Sequence, residues 1–203
     1  MSTMPVPSGQ RLVLAGVPWR TYERLLRVFD DRHLRITYDR GALEIMTLSP
    51  EQERFKHLVG LLIGALVEEL GWNMAGFGSM IVKRRRRKRG LEPDECYWIQ
   101  SEPLVRCKDR IDLRRDPSPD LVIEIDVTQS SLDRLSINAA LGVPEVWRFD
   151  GQNLQVHLLG PDGRYTEGAP SRAFPFLPMA DLARFLGMRS VQSETELVRQ
   201  FRA

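Results

Sequence analysis

Asp120-Leu121-Val122-Ile123-Glu124-Ile125-Asp126-Val127-Thr128 is the stretch whose reading decides the fold. Its alternation places Leu121, Ile123, Ile125 and Val127 on one face of a strand and Asp120, Val122, Glu124, Asp126 and Thr128 on the other. A solvated outer face is the plain reading of the second set. A metal site is the other, because three carboxylates on a strand otherwise fit for a core are unfavourable to bury unless a cation or hydrogen-bond donors compensate them.

Spacing sorts these acids. Carboxylates sharing a divalent ion must converge within roughly 4 to 5 Å. Residues on a strand advance about 3.3 Å each, so Asp120 and Glu124 lie roughly 13 Å apart at the backbone and Glu124 and Asp126 about 6.6 Å. Asp120 is therefore expected as a strand-start or supporting residue, and Glu124 with Asp126 as the pair able to reach one site or two adjacent ones. A further ligand must come from a neighbouring strand. Pro93-Asp94 repeats the Pro119-Asp120 pattern at the start of a second strand, Leu91–Ile99, which makes Asp94 the candidate co-ligand; its alternative is an ordinary turn aspartate.

Outward from this strand, Ser130 or Ser131 can cap a helix from Leu132 to Leu141 that stops at Gly142, and Pro144 precedes an apolar strand, Glu145–Phe149. A strand, a helix and another strand in that space form a crossover unit. Strands at Leu154–Leu159 and around Tyr165 continue as a meander. A helix from Pro178 through Leu186 and a last one, capped by Ser193 with Glu196 and reaching Phe201, complete the C-terminal side. On the N-terminal side, Arg11–Val17 reads as a short strand, and Pro18 opens a helix burying Tyr22, Leu25, Leu26 and Phe29. Leu34–Tyr38 and Ala42–Leu48 form a hairpin around Asp39-Arg40-Gly41. Ser49-Pro50-Glu51-Gln52 starts a helix to about Leu70, with His57 beside its apolar stripe as a packing or surface residue. Phe77–Val82 reads as a strand, and Pro103–Pro119 as a charged loop carrying Arg106, Lys108, Arg110, Arg114 and Arg115.

The 203 residues, 42% hydrophobic and 28% charged, suit one domain, 1–203, with Met1–Gly9 as a loose tail. Neither a membrane span nor a secretory signal is visible. Cys96 and Cys107 stand apart from His or Cys partners, which suits a reducing cytoplasm and argues against zinc. The net charge of +2 hides a local concentration: Lys83-Arg84-Arg85-Arg86-Arg87-Lys88-Arg89 places consecutive cations at the expected tip of a hairpin. Such a run suits a phosphate backbone or, in the plainest reading, a solvated tip.

The acid at Asp94, the acid at Glu124, the helix and the next strand resemble the PD-(D/E)xK nuclease core. More closely, Leu91-Glu92-Pro93-Asp94-Glu95-Cys96-Tyr97, Pro119-Asp120-Leu121-Val122-Ile123-Glu124-Ile125 and Gly142-Val143-Pro144-Glu145-Val146-Trp147 resemble the Uma-type restriction endonuclease family, over roughly 34–159. The resemblance implies an α/β fold with a restriction-endonuclease-like core, its mixed central sheet flanked by helices, with an added N-terminal hairpin and C-terminal helices. It also implies a metal-dependent endonuclease acting on phosphodiesters, with Asp94 and Glu124 holding Mg2+ or Mn2+ and Asp126 nearby. The superfamily's lysine, two residues after the second acid, falls here at Asp126. Family members often supply it from the following helix, and the matching position is Arg134, which can neutralise phosphate charge but is a poor proton acceptor. The expected partner is nucleic acid, with DNA first, held by 83–89 and the loop arginines. A homodimer is an open option, because two sites cut a duplex most easily. A binding protein that keeps the fold without hydrolysis is the second reading, and a partner-binding or structural protein is the third.

Overall fold

The computed structural model describes residues 9–30, 34–127, 130–168 and 170–202. The expected tail lies outside them except for Gly9, and so does Thr128 of the central stretch. In chain order the elements are β1 (Arg11–Leu14), α1 (Trp19–Val28), β2 (Leu34–Asp39), β3 (Ala42–Thr47), α2 (Pro50–Glu69), β4 (Ala75–Gly76), β5 (Val82–Arg84), β6 (Arg89–Leu91), β7 (Glu95–Trp98), β8 (Leu121–Ile125), α3 (Arg134–Leu141), β9 (Glu145–Phe149), β10 (Leu154–Leu159), β11 (Tyr165–Glu167), α4 (Met179–Gly187) and α5 (Glu194–Arg202). Among the described residues these strands form two sheets, ordered β1-β3-β2-β6-β5 and β11-β10-β9-β8-β7-β4.

β8 is the centre of the second sheet, and all five of its residues are buried. The solvated-face reading of the acids therefore fails for Glu124. Leu121, Ile123 and Ile125 pack with Phe55, Leu58, Leu62, Phe149 and Phe185 into a core beneath α2, α4 and α5. Val122 faces the other way, into a cluster with Val82, Leu91, Cys96, Trp98, Ile137, Leu141 and Val146. Truncating a side chain as buried as Ile123 removes about 2–5 kcal/mol. β8 and β9 run parallel, with Val122 opposite Val146 and Ile125 opposite Phe149, joined by α3 as the crossover. Gly142, at φ 81°, closes α3 in the left-handed region that glycine enters without penalty.

Two expected strands break. Phe77–Val82 is not continuous: Ala75–Gly76 pairs with β7 and Val82–Arg84 with β6, in different sheets. Leu91–Ile99 is interrupted at Glu92-Pro93-Asp94, so β6 belongs to the N-terminal sheet and β7 to the central one. Proline has no N–H to donate to a ladder, and the break lets the chain change sheets at that point. The helix expected from Leu132 starts two residues later, capped by Asp133, whose carboxylate accepts from Ser136 N. The first strand ends at Leu14, short of Val17.

The long helix α2 starts as its sequence requires: Ser49 Oγ accepts from Gln52 N and Gln52 Oε1 accepts from Ser49 N. On the N-terminal sheet, α1 packs Trp19 and Tyr22 against Tyr38 and Leu43. Gly90 permits this contact, since a Cβ there would collide with Tyr22 Oη and stand 2.8 Å from Lys83 Cβ.

Candidate active site

The acids meet where the two sheets meet. β7 and β8 are antiparallel, with Glu95 opposite Ile123, and one further step of that register brings Asp94 beside Glu124. Asp94 Oδ2 accepts from Ile125 N at 2.8 Å, which fixes the carboxylate against the β8 backbone. Asp120 lies at the other end of the strand, where it accepts from Ile99 N at 2.7 Å and Ser101 N at 2.9 Å. It closes the turn after β7 and takes no part in the acid pair.

Each acid of the site is matched with an arginine. Arg35, on β2, makes a two-pronged pair with Asp94 through Nη1 and Nη2, and both side chains are buried. Arg134, at the first position of α3, donates Nε to Glu124 Oε2 at 2.9 Å, and its Nη2 stands 2.7 Å from the same oxygen as an ion pair. Its remaining contacts, Thr37 Oγ1 at 2.8 Å and Glu92 O at 2.7 Å, tie α3 to the N-terminal sheet. Asn138 Nδ2 donates to Glu124 Oε1 at 3.0 Å. Asp126 Oδ2 accepts from Arg148 Nε at 2.9 Å and its Oδ1 from Ser130 N at 3.2 Å. Buried charges require this kind of matching, because an unpaired one costs several kcal/mol.

Burial pushes the Glu124 carboxyl above the ordinary glutamate range; Arg134 opposes that shift, and the like charge of Asp94 adds to it. For Arg35, burial alone would loosen the proton, but the charge and hydrogen bonds of Asp94 overcome it and hold the guanidinium more firmly protonated. Burial likewise raises Glu92, against the pull of Arg35, Arg134 and Lys56.

A cleft of about 340 Å3 opens over this arrangement, lined by Arg35, Gln52, Glu124, Asp126, Ser130, Ser131, Arg134 and Arg148. Asp94 sits behind Arg35, its side chain 1% exposed. Hard divalent ions take oxygen ligands, and magnesium is satisfied by one or two carboxylates with water and substrate phosphate. The donor chemistry fits such an ion. Among the described residues Asp94 Oδ1 and Glu124 Oε1 each receive a single donor, and Asn138 Oδ1 is a buried acceptor with no donor. Among the described residues no group of three or more His, Cys, Asp or Glu is arranged as a metal cluster, so the protein's own share would rest on the acid pair.

The basic run divides. Arg84 donates to Ser118 Oγ at 3.2 Å, Arg89 donates to Asp39 Oδ1 at 2.7 Å and to Ser136 O at 3.0 Å, and Lys83 stands 3.9 Å from Glu23. Arg85–Arg87 form a single 3-10 turn, Lys88 follows in the left-handed region, and all four side chains are exposed. A hairpin tip exists, but it presents four cations. Several loop cations are also engaged: Arg106 with Glu102, Lys108 with Asp116 and Arg114 with Asp112.

Arg35 was not among the sequence candidates, and neither was Glu44. Glu44 is buried and accepts from Ser130 Oγ at 2.6 Å and Ser131 N at 2.7 Å. These are the two serines expected to cap α3; they fasten its approach to β3 instead. The signal for both residues was the hairpin's polar face, where Arg35 and Thr37 alternate with Leu34, Ile36 and Tyr38.

A crystal structure of a putative nuclease belonging to DUF820 from Anabaena variabilis ATCC 29413 superposes with a TM-score of 0.53 at 16% identity, covering 74% of this chain and 90% of that one. That likeness is one of fold, and with it the restriction-endonuclease-like α/β core holds, its N-terminal hairpin enlarged into a separate sheet. No curated protein matches the chain. Among the described residues no helix is long and apolar enough to cross a membrane. The model of one family, Uma2, described as "Putative restriction endonuclease", matches residues 19–188, and the chain belongs to that family.

Proposed function

We propose that this protein is a metal-dependent endonuclease acting on phosphodiester bonds, with DNA as its substrate. The observation that carries the reading is the continuity of two surfaces. The acid cleft and a groove of about 750 Å3 share Asp133 and Leu135, and that groove is lined by the cations Arg87 and Arg164, with Arg89, already engaged by Asp39 and Ser136 O, forming part of its wall. A strand laid along the groove would bring its backbone phosphates from the basic tip to the acid pair. Contacts of this kind position nucleic acid without reading bases.

Asp94 and Glu124 are the residues that would hold Mg2+ or Mn2+. When bound, such an ion supplies Lewis-acid activation of water and neutralises charge on the phosphate. Arg134 holds Glu124 in place and presents cationic charge to the cleft, where the oxygens of a pentacoordinate phosphoryl group would gather negative charge. Arg148 orients Asp126 at the cleft wall. No lysine stands at the position of Arg134, so general-base catalysis from this helix is weak.

That substitution supports a second reading, a nucleic-acid-binding protein that retains the fold without hydrolysis. A nicking assay on supercoiled plasmid with magnesium or manganese, comparing the wild type with Glu124→Ala, separates the two. Nicking by the wild type and none by the variant supports the endonuclease. Plasmid binding without nicking selects the second reading.

A further inference from the structure

Arg35 is a residue of the site to which the mechanism proposed above assigns no part. It comes from β2, on the N-terminal sheet, yet it lines the cleft and covers Asp94. Its Nη1 and Nη2 take both Asp94 oxygens, and its Nε, also buried, has no acceptor among the described residues. A guanidinium placed in that way has the charge, and occupies the carboxylate, that a divalent ion needs. Both cannot hold Asp94 in the same geometry, because Arg35 takes both Asp94 oxygens and Ile125 N also donates to Oδ2.

The geometry points to Arg35 as a resident counter-cation: it neutralises Asp94 in the metal-free protein and must turn away before a divalent ion can bind between Asp94 and Glu124. This rests on the endonuclease reading of the same acid pair. Two consequences distinguish it from a simple staple between sheets. Metal affinity is held down by the fraction of molecules with Arg35 turned away, and a neutral residue at position 35 lifts that restraint. If the turned-away state is populated at about 1%, apparent affinity is reduced about hundredfold. A neutral side chain also leaves two buried carboxylates adjacent, a like-charge pair that favours a dication more than the wild-type site does.

The test measures Mn2+ binding by calorimetry and by loss of the free-ion electron paramagnetic resonance signal, with no substrate present. Wild type, Arg35→Gln and the double variant Arg35→Gln/Glu124→Gln are compared, each checked for folding by circular dichroism. Arg35→Gln is expected to bind Mn2+ on the order of ten- to a hundredfold more tightly than wild type, and the double variant to lose that gain. Equal or weaker binding by folded Arg35→Gln overturns the inference and leaves the metal-dependent reading standing. Absence of Mn2+ binding in both proteins overturns that reading and the inference together. If Arg35→Gln does not fold, a crystal structure of the wild type soaked in Mn2+ decides: an ion on Asp94 with Arg35 turned away supports the inference. An ion bound while Arg35 still grips Asp94, or no ion at the acid pair, overturns it.

Discussion

Two sets of basic side chains in this molecule do opposite things. Arg35, Arg134 and Arg148 are paired with Asp94, Glu124 and Asp126 at the sheet junction, while Arg85, Arg86, Arg87 and Lys88 stand exposed on a turn with no ion pair among the described residues. In the first set Arg35 and Arg134 offset charges that could not otherwise be buried, and Arg148 does so for a half-buried one, so geometry and stability depend on them. In the second set, charge is available to a partner and has little to do with the fold. The same residue type is thus architectural in one place and electrostatic in the other, and burial decides which.

The sharpest way to break this comparison is at Glu124. Glu124→Gln should abolish nicking and leave DNA binding intact or tighter, because a ligand and a negative charge near the phosphate are lost together. Cleavage at the wild-type rate by the purified variant would make Glu124 purely structural. The substitution also has a pH signature. Burial, opposed by Arg134, raises the Glu124 carboxyl. A group raised in the folded state contributes stability that is full below its unfolded value, about 4.3 for glutamate, and is lost as pH rises through the folded value. Urea denaturation at stepped pH should show wild type losing stability relative to Glu124→Gln across that window. Nicking should fail on acidification before ordinary carboxylates protonate. A stability difference that is constant with pH would contradict the raised titration.

Arg134 comes next. Arg134→Ala leaves Glu124 buried without its partner and is expected to cost about 3–5 kcal/mol in urea denaturation. Arg134→Lys keeps the charge and introduces the ammonium that the nuclease resemblance leads one to expect at this position, so it should retain most of the stability and raise the nicking rate. If alanine is tolerated within about 0.5 kcal/mol, as at an ordinary surface site, the buried set is not architectural.

How far each set could be read from sequence follows from the same physics. The central strand, the crossover through α3 and the Gly142 stop are local patterns of period and capping, so they were legible. So was the adjacency of Asp94 and Glu124, because the repeated Pro-Asp marks a strand that lies beside β8. The breaks at 77–81 and at Glu92-Pro93-Asp94 were not, since a chain that moves from one sheet to another still reads as a continuous apolar run. Arg35 and Glu44 escaped for a related reason. Their partners are 59 and 86 residues away, and one-chain periodicity shows that a polar face exists without showing what covers it.

The exposed set is tested by replacing Arg85, Arg86, Arg87 and Lys88 with serine. If all four engage duplex phosphates, the slope of log affinity against log salt should flatten by roughly 3.6, while stability in urea changes by less than about 0.5 kcal/mol. Filter binding across a salt series reads the first quantity. An unchanged slope would leave the turn as a solvated tip and move the nucleic-acid contact elsewhere.

The smallest expected effect falls on the residue at the boundary between the sets. Arg89 belongs to the basic run by sequence, but it is largely buried: it donates to Asp39 and to Ser136 O, joining β2, β6 and α3. Arg89→Gln should therefore behave as a mild member of the architectural set and cost about 1 kcal/mol, since a partly exposed pair is worth less than a buried one. Its salt slope for DNA should stay at the wild-type value. Asp39 supplies an independent readout. Burial would raise its carboxyl, but the hydrogen bonds from Arg89 and Arg40 outweigh that and hold it below the ordinary aspartate range. A carboxyl depressed in the folded state contributes stability above its unfolded value, and that contribution is lost as pH falls through the folded one. The cost of Arg89→Gln should accordingly be largest near neutrality and shrink as the pH is lowered below about 4, where aspartate protonates in the unfolded chain. Should Arg89→Gln instead flatten the salt slope while leaving urea denaturation unchanged at every pH, Arg89 would join the exposed cations, and burial would no longer be what separates the two sets.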